Sequence, residues 1–407
     1  MKFLNYKNNK FFVDNLSIKK ISKKFQTPFY CYSLSQIKFN LDNFKKSFSQ
    51  INPLICFSVK SNSNIKILNE LKKIGCGADV VSIGELKAAL KARIDPSKIV
   101  FSGIGKTEEE LSFAINKNIL LINIESENEA YLINKISKKK SKITSVGIRL
   151  NPNVKTNTDK KISTGSKEDK FGLTEKNLLN LIKKIKNLKN LSLDCISVHI
   201  GSQILKLHPF NKTLNILDKV IRKSKYKFKF VDLGGGIGIP YNEKNKELNL
   251  KNYSKFVKKF IDKFNCKIIF EPGRFIIGNA AVLVTKITYI KKSIEKNFII
   301  IDAGMNDFIR PALYNAKHLI LPAEKNHKII KKNTEFVGPI CESTDIFLNT
   351  RSFQKIKEKD ILLIKDVGAY GMSLASNYNL RPKPAEILVN KSDIKLIRKK
   401  ENINRLI

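Results

Sequence analysis

From Leu54 to Phe270 the chain repeats one pattern eight times, and that repetition limits its possible folds more than any other feature. A short, β-branched apolar run is followed each time by a longer amphipathic stretch rich in lysine. The runs are Leu54 to Val59, Ala78 to Ile83, Ile99 to Ser102, Ile119 to Ile124, Thr144 to Leu150, Cys195 to Ile200, Phe228 to Leu233 and Lys267 to Phe270. Continuous apolar runs suit parallel strands covered on both faces, and the stretches between them have helical period. Eight such βα units predict closure into a (β/α)8 barrel. Past Gly278 the texture changes to alternating segments, Val282 to Ile290, Phe298 to Ile301, Ile361 to Ile364 and Glu386 to Val389, separated by turn-rich loops. These predict a second, mostly antiparallel β domain, with Phe11 to Val13 pairing back onto it. The expected division is residues 1–30 joining the β domain, 31–278 forming the barrel and 279–407 forming the second domain.

A chain of 407 residues has room for both parts. Its net charge of +40 raises nucleic-acid or anionic-membrane binding as a function. The lysines are spread over the whole length, in short runs such as Lys138-Lys139-Lys140, with no basic arm and no interleaved aromatics. That dispersal, with abundant Asn and Ile and no Trp, reads as a solvated surface of biased composition. The field would still favour anionic ligands. Six widely spaced cysteines contain no Cys-x-x-Cys pair, so free thiols in a reducing compartment are expected, with neither a disulfide framework nor a metal site. Lys2, Lys7, Lys10 and Asp14 interrupt the first residues, no run could span a bilayer, and a cytoplasmic location is expected.

In such barrels the chemistry sits at the carboxyl ends of the strands, and phosphate commonly lies at the loops after strands seven and eight. Strand one ends in Lys60, strand six in His199-Ile200-Gly201-Ser202-Gln203, strand seven in Gly234-Gly235-Gly236 and strand eight in Glu271-Pro272-Gly273-Arg274. A single lysine here is ordinarily a solvated charge. At the end of a buried strand, partial desolvation would lower its pKa and suit an amine that forms a Schiff base. The glycines could be permissive turns alone, but two glycine loops on one rim let backbone N–H groups approach an anion.

Two other phosphate motifs fail on spacing. Gly105-Lys106-Thr107 mimics the end of a P-loop, yet its first glycine would fall on Val100. The triple glycine is no dinucleotide fingerprint, because its last glycine would fall on Ile239.

With Lys60, His199, the triple glycine and Glu271 to Arg274, the chain resembles the fold type III, alanine-racemase-like pyridoxal-phosphate decarboxylases over nearly its whole length. Asp302-Ala303-Gly304-Met305-Asn306-Asp307, Arg310-Pro311-Ala312-Leu313-Tyr314, Gly338-Pro339-Ile340-Cys341-Glu342-Ser343 and Gly368-Ala369-Tyr370-Gly371 follow in order, and resemble the diaminopimelate decarboxylases among them. Motifs in register carry more weight than any one alone.

The resemblance implies pyridoxal 5'-phosphate held covalently by Lys60, with His199 stacked on its ring. Ser202, Gly235, Gly236, Pro272, Gly273, Arg274 and Tyr370 would line the cofactor site, the glycines, Arg274 and Tyr370 toward the phosphate. Glu271 would face the pyridine nitrogen and stabilise its protonated form. Racemases of the same fold place an Arg there, so Glu271 argues for decarboxylation. Arg274, Arg310 and Tyr314, with Tyr370, would bind substrate, a guanidinium suiting the distal carboxylate of meso-diaminopimelate and Glu342 its distal ammonium. Cys341 is the implied proton donor, contributed with Glu342 by the partner of a homodimer. A lone Cys in an apolar stretch is more often inert core, and only its motif reverses that.

Two positions depart from the pattern: acidic residues precede Lys170-Phe171-Gly172 in Thr164 to Gly172, and Thr344 replaces a glycine after Cys341-Glu342-Ser343. Decarboxylases of ornithine, arginine or a carboxylated polyamine precursor are the alternative reading. A barrel that only binds pyridoxal phosphate would lack the second domain with Cys341, Glu342 and Tyr370.

Overall fold

The computed structural model describes residues 3–156, 164–165, 169–242 and 244–407. It contains two compact units, one of residues 42–239 and 246–273, the other of residues 1–41, 240–245 and 274–407.

The first unit is a closed barrel of eight parallel strands. They are β1 (Leu54–Ser58), β2 (Gly77–Val80), β3 (Ile99–Phe101), β4 (Leu121–Ile124), β5 (Thr144–Leu150), β6 (Leu191–Val198), β7 (Phe230–Asp232) and β8 (Lys267–Phe270). Each pairs with its neighbour in sequence, and β8 closes onto β1 through Ile269 opposite Leu54 and Phe270 opposite Ile55. The expected eight runs are therefore the eight strands, shifted by a few residues at some ends. Ile83 falls in the helix after β2 because Ser82 caps that helix, accepting from the Glu85 N–H at 3.2 Å. The helix after β3 starts on a capping box between Thr107 and Glu110.

The outer helices explain where the charge goes. In Leu250–Ile261, Leu250, Tyr253, Val257 and Phe260 are buried while Lys251, Lys255 and Lys259 are exposed. The stripe at i, i+3 and i+4 spacing faces the sheet, and the lysines stay in water. Cys56, Val100, Leu121, Cys195 and Ile269 form one wholly buried apolar cluster of the barrel, so two of the free cysteines are packing residues.

The second unit is built on a nine-stranded mixed sheet. Its central strand, Ala281–Lys292, pairs antiparallel with Phe29–Ser33, Asn297–Ile301 and Ile361–Lys365. Two pairings are parallel, Phe29–Ser33 with Ala385–Asn390 and Asn297–Ile301 with Ile329–Val337. The N-terminal contribution differs from the expected one. Phe11 to Val13 lie in a separate three-stranded sheet with Leu4–Lys7 and Leu16–Ser17, meeting the larger sheet by a bridge from Lys10 to Glu324. The inserted strand is Phe29–Ser33, all five of whose residues are buried, as a central strand covered on both faces requires.

Among the described residues no helix is long and apolar enough to cross a membrane, and no group of His, Cys, Asp and Glu is arranged to hold a metal ion.

Candidate active site

The carboxyl ends of the barrel strands surround a cavity of about 460 Å³ whose lining includes Lys60, Asn123, Arg149, His199, Asp232 and Glu271. Lys60 stands in a single 3-10 turn, Val59–Ser61, directly after β1. Its Nζ lies 2.5 Å from Asp79 Oδ2 near the end of β2, and the same oxygen accepts from Ser58 Oγ at 2.8 Å. The strand-end position leaves Lys60 about a third exposed (34%) and paired with Asp79.

His199 follows β6 and is half-buried. Its Nδ1 accepts from the Gly235 N–H at 3.2 Å, which leaves the ring proton on Nε2. Desolvation, then the charges of Arg149 and Lys60, push the imidazole well below its ordinary pKa, so the ring is neutral. Glu271 lies just past β8 and is buried. Burial first, then the nearby Asp232 and Asp79, drives its carboxyl well above the usual range, with Lys60 opposing. Asp232 is raised for the same leading reason. Asp232 also accepts from the Gly234 N–H at 2.9 Å and from Asn123 Nδ2 at 3.2 Å.

The rim glycines are fixed by close approach. Gly236 has φ +87°, and a Cβ there would stand 2.4 Å from the Gly201 carbonyl oxygen. A Cβ on Gly273 would stand 2.8 Å from Ser61 Oγ. Ser202 is half-buried and Pro272 buried on the same barrel unit.

The residues fit a ring-bearing phosphorylated cofactor. Glu271 Oε1, Asn123 Oδ1 and Ser197 Oγ are buried without a hydrogen-bond partner, and all three residues line the cavity. Each buried unsatisfied polar atom costs about 1–3 kcal/mol, so three in one cavity mark a ligand's polar edge. A protonated ring nitrogen would satisfy Glu271, and glycine backbone would meet a phosphate.

The other unit carries a second polar cluster. Arg274 and Arg310 are both buried, and their Nη1 atoms donate to one oxygen, the Tyr241 hydroxyl, at 2.7 and 2.9 Å. Arg310 Nη1 also donates to His318 Nε2 at 3.0 Å. Arg274 lies over the Tyr370 ring and Arg310 over the Tyr241 ring, each 4.8 Å from the centroid. Tyr314 is half-buried at the end of the Arg310–Tyr314 helix, close enough to influence both arginines. Cys341 and Glu342 are exposed. The Cys341 N–H donates to Asn379 Oδ1 at 3.3 Å, and Glu342 Oε1 accepts from the Tyr378 hydroxyl at 2.6 Å. Asp345 holds their loop, accepting from the Met305 and Ile340 N–H groups at 2.7 and 2.8 Å.

Sequence reasoning missed Asp79, Asn123, Arg149, Asp232, Tyr241 and His318. The first four share a signal: each is a polar residue inside an otherwise apolar strand run, at or within two residues of its carboxyl end. Thr344 is exposed, with its hydroxyl 3.9 Å from Met305 Sδ. Ser166, Lys167 and Glu168, in the other departing segment, lie outside the described residues.

Comparison with known proteins shows the family to which the chain belongs. A family profile described as "Pyridoxal-dependent decarboxylase, pyridoxal binding domain" matches residues 34–278. The chain belongs to the pyridoxal-dependent decarboxylase family. Within it, the chain is 39% identical over 409 residues to the diaminopimelate decarboxylase of Aquifex aeolicus, covering 100% of this chain and 96% of the relative. It is 40% identical over 385 residues to that of Helicobacter pylori strain J99, covering 94% and 95%. The crystal structure of diaminopimelate decarboxylase from Helicobacter pylori complexed with L-lysine matches with a TM-score of 0.91 and 39% identity, covering 95% of this chain and 98% of that one. The crystal structure of diaminopimelate decarboxylase from M. jannaschii in co-complex with L-lysine matches with a TM-score of 0.93 and 34% identity, covering 99% of this chain and 96% of that one.

Proposed function

We propose that this chain is a carboxy-lyase that decarboxylates meso-2,6-diaminopimelate to L-lysine and CO₂, the last step of lysine biosynthesis, with pyridoxal 5'-phosphate as its cofactor. The observation that carries the substrate choice is the pair of buried guanidiniums on the Tyr241 hydroxyl. Among the described residues Arg310 has no carboxylate ion pair, so a buried cation stands ready for a carboxylate that ornithine lacks.

Pyridoxal phosphate supplies an electron sink for the pair left when CO₂ departs. Lys60 would hold it covalently, neutral His199 would cover one ring face, and Glu271 would hold the proton at the ring nitrogen. Gly235, Gly236 and Gly273 would present backbone to the phosphate, with Ser202, Pro272, Arg274 and Tyr370 around it. Arg310, Tyr314 and Arg274 would clamp the distal carboxylate. The exposure of Cys341 and Glu342 supports a homodimer in which each subunit lends them to its partner's site. There Cys341 would deliver the Sγ proton to the carbon that lost CO₂, and Glu342 would take the distal ammonium. The free cysteines and the absence of a spanning helix among the described residues support a cytoplasmic location.

The test is release of CO₂ from meso-diaminopimelate, ornithine, arginine and lysine by the purified holoenzyme. Diaminopimelate is expected to turn over far faster than the other three. Faster turnover of ornithine or arginine would overturn the substrate assignment.

A further inference from the structure

His318 is buried, and its two ring nitrogens are both engaged. Nδ1 lies 2.7 Å from the Lys365 carbonyl oxygen, which can only accept, so Nδ1 carries the proton and Nε2 is the acceptor facing Arg310 Nη1. Burial and the charge of Arg310 hold the ring down to about 3, so it stays neutral at any working pH. Its position is set by an aromatic nest, the rings of Phe308 and Tyr241 meeting it edge-on at 4.7 and 4.9 Å.

Tyr241 does the complementary task. Its oxygen accepts from both arginines and its ring lies under Arg310. Two like charges brought to one atom repel each other, and a carboxylate between them would quench both. This chain holds Arg310 with a phenol and a neutral imidazole instead, which orient its guanidinium without cancelling its charge. Arg310 Nε remains buried without a hydrogen-bond partner, so part of the fork is free for a ligand.

We infer that Tyr241 and His318 are positioning residues that set selectivity for a distal carboxylate, by holding the buried Arg310 guanidinium, beside Arg274, in a fixed orientation. The inference deepens the proposed reading of the arginine cluster and rests on it.

The experiment uses the holoenzyme and two competitive probes, heptanedioate and hexanoate, which differ chiefly in the second carboxylate. Wild type is assayed first with meso-diaminopimelate, and no CO₂ release there would sink the functional reading itself. In a working enzyme, heptanedioate should inhibit far better than hexanoate. His318→Phe keeps a ring in the nest but removes both hydrogen bonds, and should weaken heptanedioate inhibition about tenfold or more while moving hexanoate little. Tyr241→Phe should compress the same ratio. His318→Gln, whose amide can accept from Arg310 and donate to Lys365, should restore much of it. For the substrate, KM should rise more than kcat falls. Circular dichroism and cofactor absorbance confirm that each variant is folded and loaded. An unchanged heptanedioate-to-hexanoate ratio in folded, loaded His318→Phe and Tyr241→Phe would overturn the inference, as would equal weakening of both probes.

Discussion

Lys60 Nζ and Asp79 Oδ2 meet at 2.5 Å, and the two ends of this ion pair are unequally hidden, with the lysine side chain 34% exposed and the aspartate 0%. Asp79 Oδ2 also takes the Ser58 hydroxyl, while Oδ1 is buried without a hydrogen-bond partner. The carboxylate therefore depends on Lys60 for its countercharge.

Removing one partner of a wholly buried pair costs about 3–5 kcal/mol, and the exposure of Lys60 calls for a discount. Lys60→Ala apoprotein should be less stable than wild type by roughly 1–3 kcal/mol in urea unfolding. Lys60→Ala with Asp79→Asn should regain part of that loss. A double variant no more stable than the single one would show that the pair does not contribute in this way.

The same lysine is expected to be the cofactor's only covalent anchor, because an amine is needed to form the linkage. Borohydride treatment of the holoenzyme should leave the cofactor on one tryptic peptide, that containing Lys60. Lys60→Ala protein should carry no such label. Label on a different peptide would move the anchor elsewhere.

Asp232 and Glu271 predict a pH dependence. Burial raises the Asp232 carboxyl from 3.8 to about 6, with Glu271 raised as well. A raised folded value means that the native state holds more protons than the unfolded chain, so this contribution is present at low pH and lost as pH rises through the folded value. The apoprotein's stability relative to Asp232→Asn should fall by roughly 1–3 kcal/mol between about pH 4.5 and about pH 7.5. Urea midpoints at several pH values measure this. A difference that stays flat or grows in favour of wild type would contradict the sign.

Most of the barrel was legible because each strand is a short apolar run and each helix carries an apolar stripe, both local patterns. The strand-end residues Lys60, His199 and Glu271 could be located from the same register. What stayed hidden depends on contacts distant in sequence. Tyr241 and His318 sit in unremarkable loop sequence, 77 positions apart, and acquire meaning only through Arg310. The placement of Phe29–Ser33 was missed for a similar reason: its partners begin at Ala281 and Ala385. Asp79 and Asp232 are visible in the sequence as acids within apolar strands, but the partners that give them a role, Lys60 for one and Asn123 and the Gly234 N–H for the other, are set by the barrel's closure.

Arg310→Ala should damage turnover of diaminopimelate by on the order of 2–5 kcal/mol in transition-state terms, since a desolvated carboxylate would lose a charge-assisted partner. The measurement is kcat/KM on meso-diaminopimelate, with any residual ornithine activity as the control. Ornithine has no distal carboxylate and should show no comparable loss. Equal losses on both would make Arg310 a structural residue.

The shared site gives the last prediction. Lys60→Ala and Cys341→Ala proteins should each be nearly inactive, for different reasons, one lacking the anchor and the other the proton donor. If the two residues serving one site come from different subunits, unfolding the variants together and refolding them creates mixed dimers. In each mixed dimer, one site has both residues intact and the other has neither, because a two-fold interface exchanges equivalent parts. Random pairing makes about half the dimers mixed, and half the sites in those are complete, so activity should approach roughly a quarter of wild type. The same arithmetic gives a different answer for a site built within one subunit: no pairing restores it, and recovery would not exceed the sum of the two variants. That outcome would move Cys341 into its own subunit's site or out of the chemistry.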